Sequence, residues 1–398
     1  MHLAFVRSRS QAGLAAPDVT VEVHLGSGLP GFQVVGVSES TTRQIRGRVR
    51  SAILSSHLKW PDFNITINLA PTEQPKEGAR YDLPIALGLL VASKQLPEQS
   101  IEKREFFGEL GLDGAIHPFR GCLAAALAAT QAGHECGIAL AGASEMATLT
   151  AGRLIAAPDL LSLCARLRAP DPEYVPGVSS LGTDIPSYPD LSQLKGQPLL
   201  RMALEVAAAG GHHLLMTGPP GVGKTMAASV LPGLLPPMPK KTAQELRLLQ
   251  DVAGVTQCSA PPFRAPHHSS SVASLMGGTA RALPGEISMA HGGVLFLDEL
   301  SEFPYAVLNQ LRQPLETGHI RVNRAQCQHL YPAQFQLVAA MNPCPCGLAG
   351  DPDSRCRCTP DQIRRYRQGI SGPLMDRIDL HITLHRPSPE FLLIKSSP

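Results

Sequence analysis

Eight consecutive residues have the types and the spacing that hold a chain of phosphates. They are Gly218, Pro219, Pro220, Gly221, Val222, Gly223, Lys224 and Thr225. The glycines allow backbone N–H groups to surround a β-phosphate, while Lys224 would pair with the β- and γ-phosphates and Thr225 would place its hydroxyl on Mg²⁺. The alternative is a glycine-rich turn that binds nothing. The segment predicts a site for ATP or GTP with Mg²⁺.

Two further segments end in groups that could assist hydrolysis. The apolar run 294–297 ends in Asp298 and Glu299, and the run 335–341 ends in Asn342. Ligands of parallel α/β sheets bind at the carboxyl ends of the strands. Asp298 would hold Mg²⁺, Glu299 would polarise the attacking water, and Asn342 would hydrogen-bond the γ-phosphate or that water.

The hydrophobic pattern places the elements that must position these groups. Residues 213–216 are an apolar run that fits a buried strand, and residues 226–231 fit a helix. The phosphate loop therefore lies between a strand and a helix, which is the context that such a loop requires.

The composition narrows the class of protein. A chain of 398 residues with 43% hydrophobic and 17% charged residues is typical of two or three globular domains. The formal net charge of +2 is nearly neutral, so contact with nucleic acid must depend on local patches. No apolar run approaches the roughly 18 residues of a membrane span, and the first residues do not resemble a signal peptide. With nine cysteines, an odd number, we expect a cytoplasmic protein without a membrane partner.

Residues 1–168 predict an α+β domain. Residues 19–25 and 32–37 alternate like a two-stranded hairpin, 64–69 fits a strand, and 82–93 fits a buried helix. The helical pattern at 40–54 carries arginines whose role stays open between a solvated face and a contact with another subunit or DNA: Arg43, Arg46, Arg48 and Arg50.

This domain resembles the Lon-type proteolytic fold. The similarity lies in Asn68–Pro71, Pro75–Pro84 and Gly108–Gly114. Lon proteases place a serine two residues past the Pro-Lys-Glu-Gly turn and a lysine further along, and those places hold Arg80 and Leu123 here. Because the nucleophile and its amine base are both missing, the resemblance implies a protease-like fold without peptide hydrolysis.

A stretch rich in Pro, Gly and Ser, residues 169–193, predicts a linker to a second domain at 194–386. There the phosphate loop, the acidic strand, the polar strand end and Arg377 follow one another as in AAA+ ATPases. We therefore expect an α/β protein, with an N-terminal Lon-protease-like α+β domain followed by a P-loop AAA+ core built on a parallel sheet.

Longer blocks make this resemblance more specific. Residues 262–269, 284–288, 293–300, 313–316 and 342–347 are similar to the magnesium-chelatase-like ATPases of the ComM and YifB family. The resemblance implies a homo-hexamer in which ATP hydrolysis drives DNA remodelling, such as branch migration in recombination or natural transformation. Two alternatives stay open: an ATPase that remodels protein or serves a chelatase partner, and a nucleotide-binding scaffold without turnover.

The resemblance also gives Arg377 a role and raises a question about the end of the sequence. The arginine at this place in ring ATPases reaches the neighbouring subunit's site, the alternative here being a pair with Asp376 or Asp379. Family members continue into a helical lid, whereas residues 387–398 form an atypical tail. We expect the lid to be missing, which puts hydrolysis and ring assembly in question.

Two predicted hairpins could contact DNA. The first is an insertion around 261–285 and the second spans 318–331. In a ring such hairpins point into the central channel, where their arginines would contact phosphates of branched or single-stranded DNA without reading sequence. The candidates are Arg264, Arg321 and Arg324. His267 and His268 lie in the first insertion, and whether they contact DNA or only pack within the loop stays open.

Four cysteines form a compact set: Cys344, Cys346, Cys356 and Cys358. Four soft thiolates suit tetrahedral Zn²⁺, although the one-residue spacers are shorter than usual. Structural zinc and free or redox-labile thiols both stay open. A loop closed by zinc beside Asn342 could hold that residue in position.

Overall fold

The structure is a computed structural model that describes residues 2–71, 78–150, 152–177, 187–255, 258–278, 282–324, 327–350 and 356–386. The chain divides into two compact units, Met1–Gly182 (unit 1) and Thr183–Pro398 (unit 2). Residues 75–77 of the Lon-like block, Arg281 and the tail 387–398 lie outside the described residues. Within the described ranges, no helix has both the length and the apolar character to cross a membrane.

Unit 1 is built on a sheet whose order is β3-β4-β2-β1-β5-β8-β9. Its strands are β1 (His2–Arg9), β2 (Asp18–Gly26), β3 (Gly31–Val35), β4 (Asn64–Ala70), β5 (Arg104–Phe106), β6 (Glu109–Leu110), β7 (Ile116–His117), β8 (Glu135–Ala139) and β9 (Leu154–Ala157). Its helices are α1 (Glu39–Ser55), α2 (Asp82–Ala92), α3 (Cys122–Gln131), α4 (Ala143–Thr150) and α5 (Leu160–Arg168).

The predicted hairpin of β2 and β3 is wrong. Strand β4 lies between them, antiparallel to β2 and parallel to β3. Strand β4 buries Ile65, Ile67 and Leu69, and a partner on each side satisfies the backbone groups along both of its edges. Parallel strands need a long crossover connection, and α1 supplies it between β3 and β4.

Unit 1 extends into the segment that the composition predicts as a linker. The Tyr174 hydroxyl donates to Glu135 Oε1 at 2.7 Å, and the Val175 N–H donates to the Leu154 carbonyl at 2.9 Å. The Arg153 guanidinium also lies over the Tyr174 ring, 5.1 Å from its centroid. These contacts attach the start of the predicted linker to β8 and β9, and the division between the units falls after Gly182.

Unit 2 is built on a parallel sheet whose order is β11-β12-β15-β10-β16. Its strands are β10 (Leu214–Thr217), β11 (Phe263–Arg264), β12 (Val294–Leu297), β13 (His319–Arg324), β14 (Cys327–Pro332), β15 (Gln336–Met341) and β16 (Leu380–Thr383). Its helices are α6 (Pro198–Gly210), α7 (Lys224–Leu234), α8 (Lys240–Ala253), α9 (Val272–Met276), α10 (Glu286–Met289), α11 (Tyr305–Gln310), α12 (Arg312–Thr317), α13 (Pro360–Gln368) and α14 (Gly372–Met375).

The register of this sheet explains how distant motifs come together. Strands β12 and β15 are buried along their whole length, as expected for apolar runs in a parallel sheet. Thr217 at the end of β10 pairs with Met341 at the end of β15, and Leu297 at the end of β12 pairs with Ala339. The residues that follow these three strands therefore share one edge of the sheet. The predicted α/β core with a parallel sheet is confirmed.

Candidate nucleotide site

The phosphate loop connects β10 to α7, which begins at Lys224. Gly221 and Gly223 adopt φ values of +80° and +91°, which favour glycine. Loops of this kind form concave nests of backbone N–H groups that bind anions. At Gly218 a Cβ atom would lie 2.8 Å from the Leu384 carbonyl oxygen, so the loop can pass β16 closely only without a side chain.

Lys224 lies at the centre of the loop. Its ammonium donates to the carbonyl oxygens of Gly218 at 2.7 Å and Pro219 at 3.0 Å, and to Asn342 Oδ1 at 3.0 Å. Burial lowers the pKa of Lys224, while the charge of Asp298 opposes that effect. Phosphate oxygens would replace these neutral acceptors with charged ones, and a charge-assisted hydrogen bond is about twice as strong as a neutral one.

The metal-binding oxygens also meet. The Thr225 hydroxyl donates to Asp298 Oδ2 at 2.9 Å, and the other carboxylate oxygen of Asp298 accepts the Glu299 N–H at 3.0 Å. A hydroxyl and a carboxylate are oxygen ligands of the kind that Mg²⁺ prefers. Asp298 is thus aimed at Thr225, as the sequence predicts for a shared magnesium ion.

Glu299 occupies an unusual backbone conformation. Its φ and ψ are 52° and 50°, in the left-handed region, which costs an L-residue about 1–2 kcal/mol. Its side chain remains 52% exposed and meets the imidazole of His268, whose Nδ1 lies 3.2 Å from Glu299 Oε2. Sequence reasoning missed His268 as part of this site. No pattern in the sequence indicates this contact, because it depends on the pairing of β11 (Phe263–Arg264) with β12.

Arg377 has its contacts elsewhere in unit 2. Its guanidinium forms an ion pair with Glu316 of α12 and donates to the Pro373 carbonyl at 2.5 Å. Neither Asp376 nor Asp379 is the partner that the structure gives it. Asp379 instead accepts the His213 N–H at 2.8 Å, which joins the start of β10 to the start of β16.

Of the two predicted hairpins, the second is confirmed. Strands β13 and β14 pair antiparallel, with Arg321 opposite Leu330, and both side chains are exposed. Arg324 is the last residue of β13, and its side chain lies outside the described part of the chain.

The first hairpin, predicted around 261–285, stays a prediction, because residues 279–281 within it lie outside the described part of the chain. That segment forms β11, helix α9 capped by the Ser271 hydroxyl, and an isolated antiparallel bridge between Gly277 and Pro284. Arg264 makes a bidentate pair with Glu286 at 2.7 Å to each carboxylate oxygen. Its guanidinium therefore already holds β11 to α10, which is a different role from the predicted contact with DNA.

The four cysteines of the predicted metal site do come together. Their sulfur atoms all lie within 4.8 Å of one another. The Sγ–Sγ distances are 3.3 Å for Cys344–Cys346, 3.7 Å for Cys344–Cys356 and 3.6 Å for Cys346–Cys356. Tetrahedral zinc with Zn–S bonds of about 2.3 Å separates its sulfur ligands by about 3.8 Å, so the arrangement fits that ion.

The cysteine loop contacts the phosphate loop. A Cβ atom at Gly347 would lie 2.8 Å from Pro220 Cδ, so the two loops are in close packing there. Backbone N–H groups of Arg357 and Leu348 lower the pKa of Cys346 to about 6, whereas a backbone hydrogen bond is outweighed by desolvation and by hydrogen bonds to the other thiols, which raise the pKa of Cys356 and Cys358. The metal-free cluster therefore favours one thiolate, and a bound cation would have to stabilise the others. After the cluster, Thr359 and Gln362 form a capping box at the start of α13.

Comparisons with known proteins agree with this geometry. The family model described as magnesium chelatase, subunit ChlI, matches residues 190–392, and one described as subunit ChlI of Mg-chelatase matches residues 21–140. A protein named Lon protease 2 from Bacillus subtilis is 26% identical over 180 residues, which is 39% of this chain and 33% of that protein.

The relatives that match nearly the whole chain include two that are 44% and 45% identical to it. The uncharacterized protein YifB of Salmonella typhimurium is 44% identical over 397 residues, covering 98% of this chain and 78% of that protein. The competence protein ComM of Haemophilus influenzae is 45% identical over 390 residues, covering 96% of this chain and 76% of that protein. The chain therefore belongs to the magnesium-chelatase-like AAA+ ATPases of the ComM and YifB family.

Proposed function

We propose that this protein hydrolyses ATP in the cytoplasm to remodel DNA, as a homo-hexamer acting on branched or single-stranded substrates. The observation that carries the proposal is the network around the phosphate loop. Lys224 binds Asn342, Thr225 binds Asp298, and Glu299 follows directly, so five groups from three neighbouring strand ends converge. The likeness to a competence protein favours DNA over other substrates.

Each of these groups has a task in phosphoryl transfer. Lys224 would move from the loop carbonyls to the β- and γ-phosphates, and Thr225 with Asp298 would hold Mg²⁺. Asn342 would then be released from the lysine to meet the γ-phosphate or the lytic water. Glu299 would orient that water for in-line attack. Arg377 would complete a neighbouring subunit's site after leaving Glu316.

The second hairpin supplies the contact with DNA. Arg321 is exposed on β13, and its register partner Leu330 is 56% exposed. An arginine on the exposed face of a hairpin can bind phosphates of any sequence, while an exposed apolar side chain can pack against unstacked bases.

ATPase rates with and without forked DNA test this proposal. We expect DNA to raise the rate of the wild-type chain, and Arg321→Ala to remove most of that stimulation while leaving the basal rate unchanged. Lys240→Ala, which removes an exposed cation at the start of α8, should retain the stimulation. A wild-type ATPase rate that forked DNA does not change would favour the alternative in which the ATPase acts on protein or on a chelatase partner. ATP binding without any turnover would favour the scaffold.

We also propose that Cys344, Cys346, Cys356 and Cys358 bind one structural zinc ion. The ion would fix the loop that follows Asn342 and packs on Pro220. Metal analysis should find about one zinc per chain, and Cys356→Ser should lose it together with affinity for ATP. Cys258→Ser, outside the cluster, should retain both. If the wild-type chain is folded, contains no zinc and has all four thiols of the cluster free to titrate, the site is excluded.

A further inference from the structure

Helix α1 of unit 1 has an inner face that packs against the unit and an outer face that is open to solvent. The inner face buries Ile45, Val49 and Ile53. Arg48 is partly buried, and its guanidinium donates to both carboxylate oxygens of Asp82. These contacts attach α1 to unit 1 and leave the other side of the helix uncovered.

The outer face carries three arginines in one line. Its exposed residues Arg43, Arg46, Gly47 and Arg50 are here called the arginine stripe. At 3.6 residues per turn, the three arginine side chains leave the helix within about 60° of one another, whereas Arg48 lies about 140° round from Arg43. The stripe extends over about 10 Å along the helix axis. Three guanidinium groups are therefore presented together on the solvent side of α1.

The positive charge of the stripe is poorly neutralised within unit 1. Arg43 lies 3.8 Å from Glu39, and their side chains are 73% and 88% exposed, so water screens this pair. Arg46 and Arg50 make no ion pair with another described residue. The sequence has no Asp or Glu from position 40 to position 61. A local basic patch of this kind attracts polyanions even on a chain that is nearly neutral overall.

Gly47 lies one turn from both Arg43 and Arg50, in the middle of a 17-residue helix. Glycine at such a position weakens a helix relative to alanine. A Cβ atom here would meet no other part of the protein within 4 Å, so packing inside unit 1 does not require glycine. Its effect is on the outside, because a partner can approach the helix backbone more closely where no side chain stands between two arginines.

The composition of the stripe favours nucleic acid over protein as the partner. Protein interfaces have cores rich in aromatic and apolar side chains, whereas the large apolar residue exposed on α1 is Leu54, close to the end of the helix. The planar guanidinium of arginine matches the oxygens of a phosphate. Successive phosphates of one strand rise by about 3.4 Å along a duplex, so the stripe covers about three of them.

We propose that the arginine stripe binds the sugar–phosphate backbone of duplex DNA without reading its sequence, and that Gly47 lets the backbone come close to α1. The inference rests on the DNA remodelling of the proposed function and adds a contact in unit 1, outside the unit that carries the nucleotide site. The stripe therefore contributes to DNA affinity and takes no part in ATP hydrolysis.

Two triple variants test whether these charges contact phosphates. The first combines Arg43→Gln, Arg46→Gln and Arg50→Gln, and the matched control removes three exposed cations outside α1 by Lys94→Gln, Lys103→Gln and Arg120→Gln. We expect the first variant to bind labelled duplex DNA about tenfold more weakly at about 0.1 M salt. The slope of log Kd against log salt should fall by about 2 to 3, since each lost phosphate contact lowers it by about 0.9. The control should retain nearly the wild-type affinity and slope.

Gly47→Leu tests the close approach while every charge is kept. The leucine side chain would stand between Arg43 and Arg50, and we expect a DNA affinity about threefold lower or less. Leucine favours helix more than glycine does, so the urea midpoint should not fall. Weaker binding by this variant therefore could not result from unfolding of α1.

ATPase measurements separate this inference from the proposed function. In the stripe variant, the concentration of forked DNA that gives half-maximal stimulation should rise while the basal and maximal rates stay unchanged, whereas Arg321→Ala should lower the maximum. Wild-type affinity and salt slope in the stripe variant would overturn the inference and leave the proposed function standing. A stripe variant that loses its oligomeric mass without DNA would make the stripe a subunit contact and overturn the inference as well. A wild-type chain that binds no DNA would overturn both.

Discussion

Two buried carboxylates of unit 1 and one exposed carboxylate of unit 2 have opposite surroundings. In unit 1 the carboxylates of Asp82 and Glu105 are each about 1% exposed, and both oxygens of each accept hydrogen bonds from Nε and Nη2 of one guanidinium, from Arg48 and Arg9 respectively. In unit 2 the carboxylate of Glu299 is 52% exposed and has His268 as its described ionic partner. A closed pair, in which one guanidinium binds both oxygens of a buried carboxylate, stabilises the fold. An open carboxylate, which is exposed, is available to a ligand.

Unit 1 also has packed side chains at the place where Lon proteases carry their nucleophile. Arg80 lies there with its guanidinium 4.8 Å from the Phe119 ring centroid, and it donates to Gln11 Oε1 at 2.8 Å. Leu123, at the place of the lysine, is buried. Unit 1 thus has packing contacts at the two positions that hold the nucleophile and its base in Lon proteases, and the loss of peptide hydrolysis stays a prediction.

Removing one partner of a closed pair should produce the largest effect on stability. Arg48→Met leaves the buried carboxylate of Asp82 without its bidentate donor, and we expect a loss of about 4 kcal/mol in the free energy of unfolding of unit 1. Trp60 is the single tryptophan of the chain and packs on the unit 1 core. Its fluorescence during urea denaturation measures this loss, and a change below about 1 kcal/mol would show that the pair is not closed.

The pH dependence of unit 1 should reveal the same carboxyl group. Burial raises the pKa of Asp82 from its ordinary value of 3.8 to about 6, even though Arg48 opposes this shift. As pH rises through this window the unfolded chain releases the proton first, so the folded state loses stability between about pH 4 and pH 6, by about 3 kcal/mol.

Asp82→Asn isolates this contribution, because asparagine does not titrate. The unfolding free energy of the wild type minus that of the variant, measured by Trp60 fluorescence, should decrease as pH rises from 4 to 7. A difference that does not vary with pH would place the pKa of Asp82 near its ordinary value.

The exposed carboxylate of Glu299 in unit 2 should affect turnover strongly and stability very little. Glu299→Gln removes the group that activates water, and we expect kcat for ATP to fall about 100-fold while ATP still binds. Since the side chain is half exposed and neutral glutamine fits the same space, the urea transition should be unchanged within about 0.5 kcal/mol. A stable variant with full turnover would remove Glu299 from the catalytic groups.

The contrast also explains what could be predicted from the sequence. The positions of Asp298 and Asn342 could be predicted because each follows an apolar run and the ends of parallel strands meet at one edge. The position of Lys224 could be predicted because it ends the glycine-rich loop that follows the apolar run 213–216. The partners of Arg264 and His268 were missed because their contacts depend on which strands become neighbours, and β11 is only two residues long. The β2–β3 hairpin failed for the same reason, since β4 arrives from a distant part of the chain.

The smallest expected effect comes from an arginine on the same helix as Arg48. Arg43 lies 3.8 Å from Glu39 one turn away, and both side chains are largely exposed. Water already solvates both charges and salt screens them, so the pair should contribute less than about 0.5 kcal/mol. Arg43→Gln should therefore leave the Trp60 transition almost unchanged at low salt and wholly unchanged at high salt. A loss comparable to that of Arg48→Met would mean that α1 depends on its arginines for a reason other than burial, and burial of the partner carboxylate would no longer distinguish the two units.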